Sequence, residues 1–97
     1  MPMFAMIARD KPGALPQRQA IRPEHLRHLD GLGDKLVLAG PFQQPDGQAT
    51  GSFVVIEAED LAAANALFET DPYVRHGVFE SWDVSRWALT FNNSQGR

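Results

Sequence analysis

Two strand-like segments joined by a short turn lie at the middle of the chain, and this hairpin limits the possible folds. The segments are "KLVLAGPF", Lys35–Phe42, and "TGSFVVIEA", Thr50–Ala58, both rich in apolar and β-branched residues. The Pro45-Asp46-Gly47 sequence between them is typical of a tight reversal. Pro41 has no amide hydrogen to donate, which predicts that the far end of the first strand lies at a sheet edge or leaves the sheet.

Further helical and extended segments flank this hairpin on both sides. An apolar run at Met3–Arg9 predicts a buried strand, and helical periodicity extends from about Ala14 to Leu32. After the hairpin, Asp60 is a candidate N-cap for a second helix with an apolar stripe made of Leu61, Ala64, Leu67 and Phe68. The sequence "DPYVRHG" is expected to end that helix.

The last predicted strand covers Val78–Leu89. Alternation places Val78, Trp82 and Val84 on one face, and Phe79, Ser81, Asp83 and Ser85 on the other. The resulting order, β-α-β-β-α-β, predicts an α+β fold of the ferredoxin-like type, a four-stranded antiparallel sheet with two helices on one face.

Length and composition indicate a single domain over residues 1–97, with about 90–97 as a flexible tail. The net charge of −3 argues against general nucleic-acid binding, and the lack of cysteine excludes thiol chemistry. The apolar run before Arg9 is too short for a signal peptide or a membrane span, so we expect a cytoplasmic protein without membrane contact.

Helices on one face leave the other face of the sheet uncovered. Phe79, Trp87 and Phe91 are hard to place in a core made by only two helices. We therefore expect some of these side chains to be buried in a homodimer that packs sheet against sheet.

The first helix carries a histidine on its apolar side. His25 falls within about 60° of Leu29 and Leu32 on a helical projection, so its ring is predicted to face inward. Pro23 lacks the amide hydrogen that a helix interior needs, which predicts a break near Arg22 and a new helix that begins at Pro23.

An inward histidine can be a hydrogen-bonded core or interface residue, or a group that transfers protons. The second role requires a partner that orients the ring, and spacing alone does not choose among Asp30, Asp34, Asp46, Asp71 and Asp83. Asp71 could instead cap the turn formed by Pro72 and Tyr73.

Other chemistries have little support in the sequence. His25, His28 and His76 lack an acidic residue at a familiar metal-ligand spacing. No phosphate-binding loop or dinucleotide fingerprint is present, and no base accompanies Ser52 in sequence, which argues against a serine hydrolase. We expect no metal and no cofactor.

Several motifs occur together in the order typical of one family. They are "RPEHLRHL" at Arg22–Leu29, "AGP" at Ala39–Pro41, "DGQATGSFVVIEA" at Asp46–Ala58, "DPYVRHGVFES" at Asp71–Ser81 and "RW" at Arg86–Trp87. In these motifs the chain resembles the YciI-like family over nearly its whole length. The resemblance implies a ferredoxin-like fold that dimerises sheet to sheet, within the dimeric α/β-barrel superfamily.

The resemblance also implies an active site that holds a histidine and an aspartate, which the motifs place at His25 and Asp71. Relatives include muconolactone isomerase-type enzymes and a type that removes chloride from a chlorinated hydroxyhydroquinone. The sequence thus favours an enzyme, a lyase or dehydrochlorinase or an isomerase, that uses a His–Asp pair on a small cyclic or phenolic molecule. Arg22, Ser52 and Tyr73 are predicted to contact the substrate. The alternative is a module that binds a small ligand without catalysis.

Overall fold

The central hairpin forms two strands of a four-stranded antiparallel sheet in the computed structural model, which describes residues 1–97. The elements in chain order are β1 (Met3–Asp10), α1 (Leu15–Gly31), a 3₁₀ turn (Gly33–Lys35), β2 (Leu36–Gln43), β3 (Ala49–Glu57), α2 (Leu61–Glu69), α3 (Pro72–Arg75) and β4 (Phe79–Trp87). The strands lie in the order β2-β3-β1-β4, and each neighbouring pair is antiparallel. The predicted ferredoxin-like fold is confirmed, and β2, which contains Pro41, is an edge strand.

The core lies between the sheet and the helices. Alternate residues of β1 and β3 point into it, and α2 contributes its own inward face; the fully buried members include Met6, Ala8, Val54, Ile56, Ala64 and Phe68. Asp60 caps α2 as predicted, because its side chain accepts a hydrogen bond from the Ala63 amide. Leu61 does not join the buried stripe and is 47% exposed, since it is the first residue after the cap. None of the helices combines the length and the apolar character that a membrane span requires.

The prediction of a break at Pro23 is wrong. Helix α1 runs without interruption through this residue. Pro23 is exposed, and its ring removes only the hydrogen bond that an amide at this position would donate to the Gln19 carbonyl. Helix α1 packs against α3, and its residues Ile21 and Leu29 pack against the core, which keeps the remaining turns helical.

The predicted face of Phe79 is also wrong. Arg9 pairs with Ser81, but Asp10 pairs with Phe79, so the strands change register at this point and Glu80 has no partner of its own. The extra residue reverses the alternation, and Phe79 is buried in the core instead of facing away from it.

The face of the sheet opposite the helices carries an apolar and aromatic patch with polar neighbours, since Asp83 pairs with Ile7 and the Arg9 guanidinium lies 4.3 Å from the Phe42 ring centroid. Ile7 in β1 is 44% exposed there, next to Phe53 in β3. Phe53 also contacts two other aromatic rings, Phe42 at a centroid distance of 6.4 Å and Trp87 at 6.3 Å. We call the surface made by Ile7, Phe42, Phe53 and Trp87 the outer face. Phe91 lies beyond β4 and is 86% exposed.

Candidate active site

The inward side of α1 carries two buried polar side chains beside the apolar residues Ile21 and Leu29, which pack against the core. The two residues of this helix that are fully buried are Arg18 and His25. They are seven residues apart, close to two helical turns, and therefore share one face. Each of these polar groups has a partner from another element, as buried polar groups require.

His25 is hydrogen-bonded to Asp71. The His25 Nδ1 atom lies 2.9 Å from Asp71 Oδ1, and both side chains are buried. The same Asp71 oxygen accepts a hydrogen bond of 2.9 Å from the Tyr73 amide and so caps α3. Asp71 thus has both functions that the sequence suggested, the turn cap and the partner of the histidine.

This contact fixes the tautomer of the ring. A carboxylate accepts hydrogen bonds, so Nδ1 of His25 carries the proton and donates it to Asp71. The other ring nitrogen, Nε2, is then free to accept a proton. Nε2 makes no hydrogen bond within the protein and is not sealed from solvent, and His25 lines a cleft beside α1, so this lone pair has access to that cleft.

Tyr73 packs against the face of the His25 ring. Its ring is stacked on the His25 imidazole, with centroids 4.0 Å apart and an angle of 17° between the planes. The Arg18 guanidinium lies 4.5 Å from the centre of the same tyrosine ring. Burial raises the pKa of the Tyr73 hydroxyl, although the positive charges of Arg18 and Arg22 oppose this rise. Tyr73 is therefore a neutral support for His25 and not part of the cleft wall.

Arg18 is a site residue that the sequence analysis missed. It is only 5% exposed and forms a bidentate ion pair with Asp10, with Nε–Oδ2 at 2.7 Å and Nη2–Oδ1 at 3.1 Å. Its Nη2 atom also donates a hydrogen bond of 2.7 Å to Ser52 Oγ. Arg18 could have been predicted from its position on the same helix face as His25, but a charged residue is ordinarily assigned to the surface.

The cleft has a volume of about 510 Å³ and lies between α1 and the β2–β3 hairpin. Arg18, Arg22 and His25 line one side, and Ser52 lies on the β3 side. Arg22 is exposed and has no acidic partner within ion-pair distance. Of the five predicted site residues, the structure places His25, Arg22 and Ser52 in the cleft wall, with Asp71 and Tyr73 directly behind the histidine.

The other two histidines lie outside the cleft. His28 Nε2 is 2.7 Å from the Thr70 hydroxyl, and His76 is 3.8 Å from Glu24. The structure has no group of three or more His, Asp or Glu side chains that could hold a metal ion.

A ferredoxin-like sheet with a buried His–Asp pair beside an open cleft defines a class of small α+β proteins suited to bind or convert small molecules. Residues 3–88 match the family described as the YCII-related domain. The chain belongs to this YciI-like family, as its motifs indicated.

Curated relatives and a solved structure support this membership. The chain is 39% identical to Protein YciI of Escherichia coli O6:H1 (strain CFT073), over 92% of this chain and 99% of that protein. It is 36% identical to an uncharacterized protein of Haemophilus influenzae, with 91% and 98% covered.

The solved structure is 5-chloro-2-hydroxyhydroquinone dehydrochlorinase (TftG) from Burkholderia phenoliruptrix AC1100, in complex with 2,5-dihydroxybenzoquinone. It superposes with a TM-score of 0.82 at 31% identity, over 91% of this chain and 95% of that one.

Proposed function

We propose that this protein is a small-molecule enzyme of the lyase or isomerase type, in which His25 transfers the proton. The observation that carries the proposal is the orientation of the His25 ring, since Nδ1 is held by Asp71 and Nε2 is open to the cleft. The imidazole of a histidine can both accept and return a proton near neutral pH, and a positioned base contributes roughly 10²–10⁴-fold in rate.

The chemical step begins when His25 Nε2 removes a proton from a hydroxyl or carbon atom of the substrate. The electron pair of the broken bond moves into the substrate and forms a new double bond. In a lyase the imidazolium returns the proton to the ring carbon that bears the leaving group; a second hydroxyl of the substrate then loses its proton to water, a second carbonyl forms, and a group such as chloride departs with its bonding electron pair. In an isomerase the imidazolium returns the proton at another carbon and no group leaves. Asp71 stabilises the positive charge on the ring during this step and is a positioning residue.

We propose that the substrate is a small hydroxylated ring. The dehydrochlorinase that shares this fold at 31% identity was crystallised with 2,5-dihydroxybenzoquinone, and the cleft of about 510 Å³ is large enough for such a molecule. In this proposal Arg22 and Ser52 contact the substrate directly, and Tyr73 contributes by stacking on His25.

The test is release of chloride from 5-chloro-2-hydroxyhydroquinone and related halogenated hydroxyhydroquinones. We expect turnover by the parent protein, a loss of about 10²-fold or more in kcat for His25→Gln, and no loss for His28→Gln. His28 is the matched control because it lies on the same helix and outside the cleft. Equal rates for the parent and His25→Gln on every substrate would refute the mechanism.

A non-catalytic binding module is the second candidate, and the dual role of Asp71 favours it. The aspartate caps α3 as well as binding His25, so the pair could exist for the fold alone. A purely structural pair predicts that His25→Gln lowers the free energy of unfolding by about 3–5 kcal/mol. Binding of 2,5-dihydroxybenzoquinone without turnover of any hydroxyhydroquinone would support this candidate over the enzyme.

We further propose that two copies of the chain associate through the outer face. This surface is apolar and aromatic, and none of the helices covers it. Apolar surfaces of this kind mark association sites more often than free solvent-exposed surfaces.

A further inference from the structure

Ser52 and Arg18 present hydrogen-bond donors to the cleft beside the proposed base. Ser52 Oγ accepts a hydrogen bond from Arg18 Nη2, which leaves the hydroxyl proton of Ser52 without a partner in the protein. The hydroxyl is held in place by a buried guanidinium, and Ser52 lines the cleft. Its proton is therefore available to a ligand.

The remaining terminal nitrogen of Arg18 has the same property. Asp10 and Ser52 together occupy Nε and Nη2, and the Tyr73 hydroxyl interacts with the same guanidinium, whereas no short hydrogen bond within the protein uses Nη1. Nη1 is not a buried atom without a partner, and Arg18 lines the cleft, so its N–H groups have access to that space. Arg22 follows one helical turn later and adds a positive charge that no acidic residue neutralises.

Arg18 and Arg22 can only donate, and the Ser52 hydroxyl has its proton to donate, so together these groups favour a ligand atom that accepts. We propose that Arg18 Nη1 and Ser52 Oγ form a subsite for an ionised oxygen of the ligand, a phenolate or enolate, with Arg22 as the balancing charge. This proposal rests on the proposed function, because the oxygen in question is the one on which negative charge develops when His25 removes the proton.

Asp10 fixes the orientation of the Arg18 guanidinium in this subsite. It neutralises Arg18 and holds the guanidinium through two hydrogen bonds, while Tyr73 packs on the face of the same group. Donors fixed in this way need no rearrangement when charge develops on the ligand, which is the usual basis of oxyanion stabilisation. Asp10 is accordingly a positioning residue for Arg18.

The experiment compares two ligands of similar shape by isothermal titration. One is 2,5-dihydroxybenzoquinone, which carries ionised oxygens at neutral pH, and the other is 2,5-dimethoxybenzoquinone, which does not ionise. We expect the parent protein to prefer the ionised ligand. Ser52→Ala should lower the affinity for that ligand by about tenfold, because a hydrogen bond to a charged group contributes about 1.5 kcal/mol or more. Its affinity for the dimethoxy compound should not change.

The control is Ser94→Ala, which lies outside the cleft and should leave both affinities unchanged. A second variant, Asp10→Asn with Arg18→Gln, removes both charges of the ion pair together, so that no unpaired charge is left buried. If this double variant does not fold, Ser52→Ala decides the question alone.

The subsite proposal would be overturned if Ser52→Ala lowered the affinity for both ligands equally or for neither. It would also be overturned if the parent protein showed no preference for the ionised ligand. The two proposals fail separately. If His25→Gln keeps full activity, the role of His25 as the base is refuted, but the ligand preference of the parent protein is unaffected. If His25→Gln is inactive and the parent protein shows no preference for the ionised ligand, only the subsite is refuted.

Discussion

Asp71 is the residue on which local structure and proposed chemistry converge. A single carboxylate oxygen accepts hydrogen bonds from His25 Nδ1 and from the Tyr73 amide. The first contact orients the imidazole, and the second caps the short helix α3. Substitutions at this position can therefore separate the charge of the group from its hydrogen-bonding geometry.

We expect Asp71→Asn to fold normally and to lose about tenfold in activity. Asparagine is a good N-cap and retains an oxygen for both hydrogen bonds, but it lacks the charge that stabilises the imidazolium. Asp71→Ala should instead lower the free energy of unfolding by about 1–3 kcal/mol, since it removes the cap and leaves the amide unpaired. Urea denaturation and kcat measured on both variants check this. A stable Asp71→Ala protein would contradict the capping role.

Tyr73 predicts a loss of stability at high pH. Burial raises the pKa of its hydroxyl in the folded protein, so above a pH of about 10 the unfolded chain releases this proton while the folded protein retains it. The free energy of unfolding should then fall by up to about 1.4 kcal/mol per pH unit. Tyr73→Phe should remove this contribution.

The measurement is the urea midpoint from pH 8 to pH 11 (about the range over which a tyrosine titrates) for the parent and Tyr73→Phe. Lysines titrate in both proteins and cancel in the difference. Tyr73 is the only tyrosine in the chain, so tyrosinate absorbance reports its ionisation directly. Parallel stability curves for the two proteins would contradict the prediction.

At the level of secondary-structure elements, β3 approaches β1 too closely at one position for any side chain. A Cβ atom built on Gly51 would collide with the Ala8 carbonyl oxygen, and it would lie 3.3 Å from the Phe42 ring. The register of β2 and β3 shifts beside it, between Phe42 and Gln43. Glycine is therefore required where β3 passes from the bulge into the regular sheet.

We expect Gly51→Ala to lower the free energy of unfolding by about 1–3 kcal/mol, because the backbone must move to admit the methyl group. Gly40→Ala is the matched control on the neighbouring strand, since no atom lies within 4 Å of a Cβ built there. Chemical denaturation of both variants tests the difference. Equal stabilities would show that the contact relaxes without cost.

Element order and the direction of His25 were predictable because both follow from local periodicity. Asp71 could not be ranked from spacing, since its contact with His25 spans 46 positions, and only the family motif selected it. Arg18 was missed because its burial depends on Asp10 and Ser52, which other strands provide. The face of Phe79 was wrong because a register shift is a property of two paired strands and is not visible in one of them.

On the scale of the whole molecule, the cleft and the outer face lie on two different sides, for which we propose different roles. The cleft opens between α1 and the β2–β3 hairpin, whereas the outer face lies on the opposite side of the sheet. Association through the outer face would leave the walls of the cleft intact in each copy. The two sides can therefore be altered independently.

We expect the parent protein to sediment as a dimer at micromolar concentration and Ile7→Asp to sediment as a monomer. A carboxylate at Ile7 would be desolvated in the proposed interface. Leu61→Asp is the matched control, with an exposure of 47% against 44% for Ile7, on the helical side. A monomeric parent protein would contradict the prediction, as would dissociation of both variants alike.

The double role proposed for Asp71 has a consequence for descendants of this protein that no longer need the proposed chemistry. Selection for folding alone would retain the aspartate, because α3 still needs its cap, whereas His25 and Ser52 would be free to drift. An aspartate at this position is therefore a poor marker of a working enzyme. In a lineage that has lost the proposed reaction, we expect replacement of the histidine to be the first sign.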